Sequence, residues 1–299
     1  MTAVRAAADG HPQRFAAPGD GRPDADMLTA FARDGYLVLD GFAAPAACDA
    51  LVVRGAEIID AFDPSAGSGF FSTRGQAHIR DDYFTSSAGE VRCFLEEDAV
   101  DADGRLTIDK AQAANKIAHA LHDRDPVFDR FSRTPELAQL ATGLGLAEPL
   151  LLQSMLICKP PRIGGEVICH QDGTFLYTEP ESVLGFWFAL ADAGVENGCL
   201  HALRGEHRGP LRSRFVRGAD GLALRRLDAE PWDLAQAVAL PARKGDLIVL
   251  HGRLPHYSAI NRSSVPRPAY TLHLIDGRCA YAADNWLQRP ADMPLRGFR

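Results

Sequence analysis

Leu150-Leu-Leu-Gln-Ser-Met-Leu-Ile-Cys158 is the first of the short apolar runs that decide the class of fold. Similar runs follow at Leu184–Leu190, Leu247–Leu250 and Tyr270–Ile275, and each is bounded by Gly, Pro, Asn or Asp. Runs of this length between turn-forming residues indicate buried strands. The segment Arg208–Ala239 has no clear period and interrupts the series. The second half of the chain is therefore predicted to be a set of short strands.

The first half of the chain has helical patterns instead. Order is expected to begin with a helix near Asp24 or Asp26, either of which can cap its first turn. A second helix follows Pro45, and apolar residues recur at helical spacing from Lys110 to His122 and from Pro126 to Leu146. Helices followed by strands indicate an α+β fold, with helices on one side of an antiparallel sandwich or jelly roll.

Composition and length predict how these elements are organised. With 46% apolar and 24% charged residues, the 299-residue chain is typical of a globular protein with a substantial core. Residues 1–25 are rich in Ala, Gly and Pro, which predicts a disordered tail before a single domain of residues 26–299. Residues 63–104 are polar and contain several glycines, which favours loops and short strands that cover a pocket.

The charge and the cysteines argue against several classes of protein. A net charge of −7, from 32 Lys and Arg against 39 Asp and Glu, argues against a nucleic-acid partner. The six cysteines form no C-x-x-C pair, so we expect neither a zinc ribbon nor a disulfide framework, which fits a cytoplasmic protein. No apolar run is long enough to cross a membrane. The expected partner is a small-molecule substrate, without nucleic acid or membrane.

The segment Cys169-His-Gln-Asp-Gly173 contains the first candidate metal ligands. Residues i and i+2 of a strand point to the same face, so His170 and Asp172 can present an imidazole and a carboxylate to one point. A further ligand must come from elsewhere, and His251 and His256 are the candidates that follow a predicted strand. Two histidines and one carboxylate leave three open positions on an octahedral metal, an arrangement typical of non-haem iron(II) oxygenases.

A cation at a fixed distance from the metal would complete a site for 2-oxoglutarate. The far carboxylate of this co-substrate pairs well with a guanidinium through two parallel hydrogen bonds, and Arg267 is the candidate, with the Ser258 hydroxyl beside it. Two alternatives remain: a non-catalytic binding protein, and a hydrolytic metalloenzyme on a similar barrel. A hydrolytic enzyme has no need of Arg267 and Ser258 at these positions. For four further histidines the spacing indicates no partner, and we expect packing or solvent contact: His119, His122, His201 and His207.

Eight stretches of the sequence carry a resemblance to a known family. They are Phe31–Leu39, Asn115–His122, Gly164–Asp172, Thr174–Pro180, Glu196–Leu200, His256–Asn261, Arg267–His273 and Asn285–Gln288. Together they resemble the phytanoyl-CoA dioxygenase family of iron(II)/2-oxoglutarate oxygenases, and within it the phytanoyl-CoA dioxygenase domain-containing proteins. The resemblance implies a double-stranded β-helix, the jelly-roll core of cupin-like proteins, with helices packed on one sheet.

The resemblance also implies roles for individual residues. The iron ligands would be His170, Asp172 and His256, because the His-x-Ser-x-x-Asn pattern of the family starts at His256 and not at His251. Arg267 and Ser258 would contact the distal carboxylate of 2-oxoglutarate. Three further residues are expected around the co-substrate: Lys116, Gln153 and Trp187.

The implied reaction uses iron(II), 2-oxoglutarate and dioxygen, and it is compatible with ascorbate as a reductant. The default is hydroxylation of a small hydrophobic or acyl-type metabolite with release of succinate and CO2; a non-catalytic member of the fold is the alternative. The poorly matching segment Arg208–Ala239 is where substrate contacts are expected. A CoA ester would require basic residues at the pocket mouth, and a solvated face explains the candidates equally well: Arg204, Arg208, Arg212, Arg214 and Arg217.

Overall fold

The structure, a computed structural model, describes residues 11–64, 69–71, 82–101, 105–219 and 221–298. The helices are α1 (Ala25–Asp34), α2 (Pro45–Ala61), α3 (Asp82–Thr85), α4 (Lys110–Ala113), α5 (Leu121–Arg124), α6 (Pro126–Ser132) and α7 (Pro135–Gly143). The strands of the first half are β1 (Arg14–Ala16), β2 (Tyr36–Asp40), β3 (Gly69–Phe71), β4 (Val91–Glu96) and β5 (Ala114–His119). The strands of the second half are β6 (Pro149–Ile157), β7 (Val167–His170), β8 (Thr178–Glu179), β9 (Leu184–Ala189), β10 (Leu200–Ala202), β11 (Ser213–Gly218), β12 (Gly221–Arg226), β13 (Val238–Leu240), β14 (Leu247–His251), β15 (His256–Ser258), β16 (Ala269–Asp276) and β17 (Ala280–Tyr281).

Two sheets form the centre of the fold. The larger has nine strands in the order β1-β2-β14-β9-β16-β6-β5-β4-β3, and the smaller has four in the order β13-β10-β15-β7. Two further pairs, β11 with β12 and β17 with β8, lie outside them. The four apolar runs that the sequence analysis identified are the adjacent strands β14, β9, β16 and β6, which confirms them as strands.

The central strands of the large sheet are apolar on both faces, because each face is covered. On β2, Leu37 and Leu39 pack into the core beneath the helices, whereas the alternate residues Tyr36 and Val38 pack into the core that includes Leu200 of the small sheet. Successive side chains of a strand point to opposite faces, so this strand reads as a continuous apolar run. Residues of α1, α2, α5, α6 and α7 pack in the first of these cores, and the small sheet lies against the other face. Phe84 of α3 instead packs in a third core with Phe94 and Leu152, so the prediction of helices on one side holds for most helices and not for α3.

Two helical predictions are wrong in detail. Residues 110–122 are not one helix: α4 ends at Ala113, and β5 then pairs with β6 through Lys116↔Ile157 and Ile117↔Leu156. Small and apolar residues at this spacing suit either structure, and pairing between chain-distant strands decides the outcome. The predicted helix over residues 126–146 is two helices, α6 and α7, because Thr134 caps α7 and Pro135 is its first residue.

The N-terminal prediction is right for the start of α1, but residues 14–16 of the predicted tail form a strand. The side chain of Asp24 accepts a hydrogen bond from the backbone N–H of Met27 at 2.8 Å and caps the helix, as expected. Strand β1, however, lies within the predicted tail and pairs in parallel with β2. Arg14 of this strand donates to Asp246 at 2.5 Å. An open sheet edge and a buried carboxylate therefore order this segment, which has no strand-like period of its own.

Two predictions extend into residues that the structure does not describe. Residues 1–10, 65–68, 72–81 and 102–104 lie outside the described residues, so the predicted tail and pocket cover are assessed only in part. The rest of the 63–104 region contains β3, α3 and the six-residue strand β4.

In the described part of the chain, no helix combines the length and apolar character needed to cross a bilayer. A single domain over residues 26–299 stays a prediction.

Candidate active site

Two paired strands of the small sheet bring the predicted metal ligands together. His256 of β15 is directly opposite His170 of β7 in the antiparallel ladder. The Nε2 atoms of His170 and His256 lie 3.5 and 3.7 Å from Oδ1 of Asp172. Strand β7 ends at His170, and Asp172 begins a short 3-10 turn, but extended backbone at Gln171 keeps both side chains on one side. The ligand atoms of the three residues all lie within 4.8 Å of one another.

Backbone carbonyls orient both imidazoles. Nδ1 of His170 lies 2.8 Å from the carbonyl oxygen of Ile168, and Nδ1 of His256 lies 3.0 Å from that of Leu254. Carbonyl oxygens only accept, so each Nδ1 carries the hydrogen and each Nε2 keeps its lone pair for a metal. Burial lowers the pKa of His256 to about 4, which keeps this ring neutral at neutral pH. Both histidines are therefore held in the tautomer that binds metal through Nε2.

The carboxylate of Asp172 is held ionised among imidazoles. Burial alone would raise its pKa, but the nearby imidazoles of His273 and His256 hold the pKa of Asp172 well below its usual range. Its Oδ2 lies 3.4 Å from Nε2 of His273 on β16. No spacing in the sequence marks His273 as a candidate ligand; the position of β16 beside β9 brings it here.

The competing histidine, His251, lies outside this cluster. Its Nδ1 accepts a hydrogen bond from the backbone N–H of Arg253 at 3.1 Å, and its ring lies 6.1 Å from that of Phe31. It lines a separate cavity of about 290 Å³. His256 is the histidine that the structure brings to Asp172, in agreement with the expectation from the resemblance.

The four histidines for which packing or solvent contact is expected all have packing contacts, and one of them also lines the site. His122 is buried beside Asp123, His201 stacks on Tyr257, and His207 lies beside His251. His119 contacts the hydroxyl of Ser87 at 2.8 Å and borders the same cavity as the metal cluster. Burial lowers its pKa well below the ordinary value, so His119 is a neutral ring in this wall.

One cavity of about 400 Å³ contains the metal cluster and every residue predicted to contact the co-substrate. Much of its wall is aromatic, with contributions from both sheets and from the β11–β12 hairpin. The predicted contacts that line it are Lys116, Gln153, Trp187, Ser258 and Arg267. The structure therefore brings together residues that are distant in the chain, around a space of the size of a small-molecule site.

Arg267 is a buried cation within this cavity. It is only 1% exposed, and its guanidinium lies 5.4 Å from the centre of the Trp187 ring. Its Nε and Nη1 have no hydrogen-bond partner among the described residues. Burial lowers its pKa to about 10, so the group stays positive at neutral pH. Buried charges are normally paired, so this arginine is suited to an anionic ligand.

Lys116 lies in a different part of the wall. It projects from β5 over the rings of Phe94 and Phe84, at 5.4 and 5.9 Å from their centres. Burial lowers its pKa to about 7, against the opposing effect of Glu96. The helical pattern over residues 110–122 predicts a solvent-facing position for Lys116. In the structure Lys116 lies on the strand β5 instead, and its side chain lines the cavity.

The five arginines considered for a CoA ester do not form a free basic cluster. Each has a partner elsewhere: Tyr36 for Arg204, the carbonyl of Arg33 for Arg208, the carbonyl of Glu230 for Arg212, Asp284 for Arg214 and the carbonyl of Trp286 for Arg217. The solvated-face explanation also fails for Arg214, which is 8% exposed. From the segment that the sequence left unassigned, the cavity is lined instead by Ser213, Phe215, Leu224, Arg226 and Trp232.

Known structures share this architecture. The chain is similar to the epimerase SnoN in complex with Fe3+, alpha ketoglutarate and nogalamycin RO, with 16% identity, a TM-score of 0.63 and 90% of each chain covered. It is also similar to EctD from S. alaskensis with 2-oxoglutarate and 5-hydroxyectoine, with 21% identity, a TM-score of 0.59, and 89% of this chain and 80% of that chain covered. Both likenesses show the fold, and the His-Asp-His cluster of this chain lies within it.

Sequence comparison gives the family. The family model described as phytanoyl-CoA dioxygenase (PhyH) matches residues 31–269. A phytanoyl-CoA dioxygenase of Arabidopsis thaliana is 42% identical over 270 residues, covering 90% of this chain and 94% of its own. Phytanoyl-CoA dioxygenase domain-containing protein 1 of Danio rerio is 39% identical over 275 residues, covering 89% and 94%. This chain belongs to the phytanoyl-CoA dioxygenase family, which confirms the resemblance.

Proposed function

We propose that this protein binds iron(II) and 2-oxoglutarate and uses dioxygen to oxidise a small organic substrate. One observation carries the proposal: His170, Asp172 and His256 converge on one point of a cavity that also contains the buried, incompletely paired guanidinium of Arg267. A metal with open positions and a cation in the same cavity match the two ends of a 2-oxo acid with a second carboxylate.

The donor set fits iron(II). Two neutral imidazoles and one ionised carboxylate suit this ion, and none of the three donor groups is a thiolate. The Ile168 and Leu254 carbonyls hold the imidazoles in the required tautomer. When bound, iron and 2-oxoglutarate supply the oxidising chemistry, with succinate and CO2 as co-products. The protein supplies the geometry and a largely apolar cavity wall.

Arg267 and Ser258 hold the distal carboxylate in this proposal. The guanidinium offers parallel N–H donors, which Trp187 keeps in place by packing against its face. Gln153 lies across the strand pair from His273, close to the metal cluster. Lys116 keeps its predicted role as a co-substrate contact, although its aromatic surroundings also suit a place beside the substrate.

The substrate is a small hydrophobic or acyl-type metabolite, and hydroxylation is the default reaction. The cavity wall beyond the metal cluster supports this, because it contains Phe84, Phe175, Phe215 and Trp286. The names of two plant relatives specify phytanoyl-CoA. The five arginines considered for a CoA ester do not form the free basic cluster that such a substrate would require.

We also propose that the two facing sheets form a double-stranded β-helix. We propose further that the protein is cytoplasmic, with neither nucleic-acid nor membrane partners.

An anaerobic titration tests the function directly. Metal-free protein receives iron(II) and then 2-oxoglutarate, and the visible charge-transfer absorption of the chelate is recorded. We expect a band in the wild type, no band with His256→Ala, and a much higher half-saturating 2-oxoglutarate concentration with Arg267→Ala. His251→Ala is the matched control and should behave as the wild type, because His251 lines the separate cavity.

The outcome separates the proposal from its alternatives. A band in the wild type that also survives His256→Ala would reject the assigned ligands. No band in well-folded wild-type protein would reject iron and 2-oxoglutarate together. Succinate formation in the presence of oxygen then distinguishes a catalyst from a non-catalytic protein of the same fold.

A further inference from the structure

A second buried cation, Lys159, lies beside Arg267. It is 2% exposed and directly follows Cys158 at the end of β6. Its backbone carbonyl accepts hydrogen bonds from the backbone N–H of Arg267 at 3.2 Å and from Nδ2 of Asn261 at 3.1 Å. Its φ of 41° is in the left-handed region, which is uncommon for a lysine. The backbone therefore fixes Lys159 and Arg267 as neighbours.

The side chain of Lys159 determines how Ser258 can act. Its ammonium donates to the carbonyl of Gly165 at 2.7 Å and to Oγ of Ser258 at 3.0 Å. An ammonium group has donors only, so the Ser258 oxygen accepts in this contact and its own hydrogen is left for another acceptor. Both residues line the large cavity. Ser258 is thereby prepared to donate to an anion there.

The charges at this end of the cavity also favour an anion. Burial and the nearby Arg267 lower the pKa of Lys159 to about 7, while Glu96 and Glu166 act in the opposite direction. A bound carboxylate would add a negative charge beside both cations and stabilise their charged forms. It would also offer an acceptor to the Arg267 nitrogens that lack one among the described residues.

We infer that Lys159 is a further binding residue for the distal carboxylate of the 2-oxo acid, acting with Arg267 and through the orientation of Ser258. This inference rests on the proposed function and deepens it. The guanidinium supplies one set of donors, the Ser258 hydroxyl supplies another, and the ammonium supplies a charge that distinguishes a carboxylate from a neutral group. Lys159 is therefore a specificity residue for 2-oxo acids with a second carboxylate.

A purely structural role predicts a different result. Lys159 also connects the Gly165 backbone to β15, so its loss could loosen the site as a whole. Loosening would weaken every 2-oxo acid alike. Removal of a charge that binds the distal carboxylate weakens the binding of only those ligands that have this carboxylate.

The test compares two ligands that differ in this group alone. Anaerobic iron(II)-loaded protein is titrated by calorimetry with 2-oxoglutarate and with 2-oxopentanoate, in which a methyl group replaces the distal carboxylate. The variants are Lys159→Met and Lys159→Gln, which keep most of the side-chain volume without the charge. Lys244→Met is the control, because Lys244 pairs with Asp49 outside the cavity.

We expect the wild type and Lys244→Met to prefer 2-oxoglutarate strongly. In both Lys159 variants this preference should fall by about tenfold or more, as expected for loss of a charge-assisted contact. Most of the change should be weaker binding of 2-oxoglutarate. Equal weakening of both ligands, or an unchanged preference in whichever variant folds, would overturn the inference while leaving the proposed function intact. A wild type that binds neither ligand would overturn both.

Discussion

The two carboxylate oxygens of Asp172 have different neighbours. Oδ1 faces Nε2 of His170 and His256, whereas Oδ2 faces Nε2 of His273 and the backbone of Gly185. This arrangement favours one oxygen for the metal and leaves the other to fix the direction of the carboxylate. The absence of a side chain at Gly185 is part of it, since a Cβ there would lie 2.7 Å from Oδ2.

Gly185→Ala is therefore expected to displace the carboxylate of Asp172. A methyl group at that distance forces the carboxylate away from the two histidines, and we expect iron(II) affinity to fall by roughly 10- to 100-fold. The measurement is a competition titration with a chromophoric chelator. Gly194→Ala is the control, because a Cβ at Gly194 has no atom within 4 Å. Iron affinity equal to that of the control would show that the carboxylate tolerates the methyl group.

The choice between His251 and His256 shows what the sequence leaves open at this scale. Both follow the same predicted strand, and residue type and spacing alone keep both as candidates. In the structure, β14 ends at His251 and the chain turns before β15 begins at His256, opposite His170. The pairing of β15 with β7, two strands far apart in the chain, brings His256 to the cluster, in line with the family pattern that starts at this residue.

Strand β5 shows how tertiary context overrides a local pattern at the scale of an element. Its residues are compatible with helical spacing, yet they pair with β4 on one side and β6 on the other. Ladder hydrogen bonds on both edges and burial of Ile117 outweigh the local preference. As a consequence, Lys116 faces the cavity, whereas on a surface helix its side chain would face solvent.

The β11–β12 hairpin is the element that the sequence could not assign. It lies outside the two central sheets and contributes Phe215 and Leu224 to the cavity wall. Arg214 anchors it: the side chain bonds Asp284 at 2.5 Å and Asn285 at 3.2 Å, and it lies 4.3 Å from the centre of the Tyr177 ring. Arg214 is thus a buried anchor at the base of the hairpin, beside the backbone bridge between Val216 and Asn285.

Arg214→Met should loosen the hairpin without affecting the metal cluster. Loss of a buried, charge-assisted anchor is expected to lower the free energy of unfolding by about 1–3 kcal/mol. Amide hydrogen exchange in β11 and β12 should quicken, while iron(II) affinity stays unchanged. Arg225→Met in the same hairpin is the control, because Arg225 is exposed and should change stability by less than about 0.5 kcal/mol. Equal exchange in the two variants would contradict the anchoring role.

At the scale of the whole molecule, a buried polar network ties the C-terminal segment to the helical layer. Asp123 lies at its centre and contacts Arg133 at 2.6 Å, Arg289 at 2.8 Å and Arg296 at 2.9 Å. Beside it, Nε2 of His122 accepts a hydrogen bond from Arg289 at 2.8 Å. This nitrogen must be unprotonated, because the guanidinium can only donate. Burial lowers the pKa of His122 to about 4.

The network predicts that the metal-free protein loses stability in mild acid. Between the ordinary histidine pKa of 6.5 and about 4, the unfolded chain takes up a proton on His122 that the folded protein does not. The free energy of unfolding therefore falls as the pH falls through this range, and one such group contributes on the order of 3 kcal/mol. The measurement is urea unfolding between pH 7 and pH 4.

His122→Gln should make this dependence less steep, because it removes one of the histidines whose pKa burial lowers; His119, His251 and His256 keep their contributions. His11→Gln is the control, since His11 is exposed and lies outside the network. The depressed pKa of Asp123 adds stability that is lost at still lower pH, so it does not mask the effect. An identical slope for the His122 variant and the wild type would show that other groups cause the dependence.

The sequence by itself determined what depends on neighbouring residues. The apolar runs define β6, β9, β14 and β16, and the cap at Asp24 defines the start of α1. The extended backbone through Gln171 makes His170 and Asp172 converge. Each of these follows from local periodicity or from a hydrogen bond within a few residues, so one sequence is enough to predict it.

Only the tertiary structure decided which distant residues meet. His273 beside Asp172, Lys159 beside Arg267 and the strand at Lys116 all depend on the order and register of strands far apart in the chain. Strand pairing is selected by the total burial of both sheets and by the helices above them, a property of the whole molecule. No local pattern in the sequence determines this total burial, so these contacts follow only from the structure.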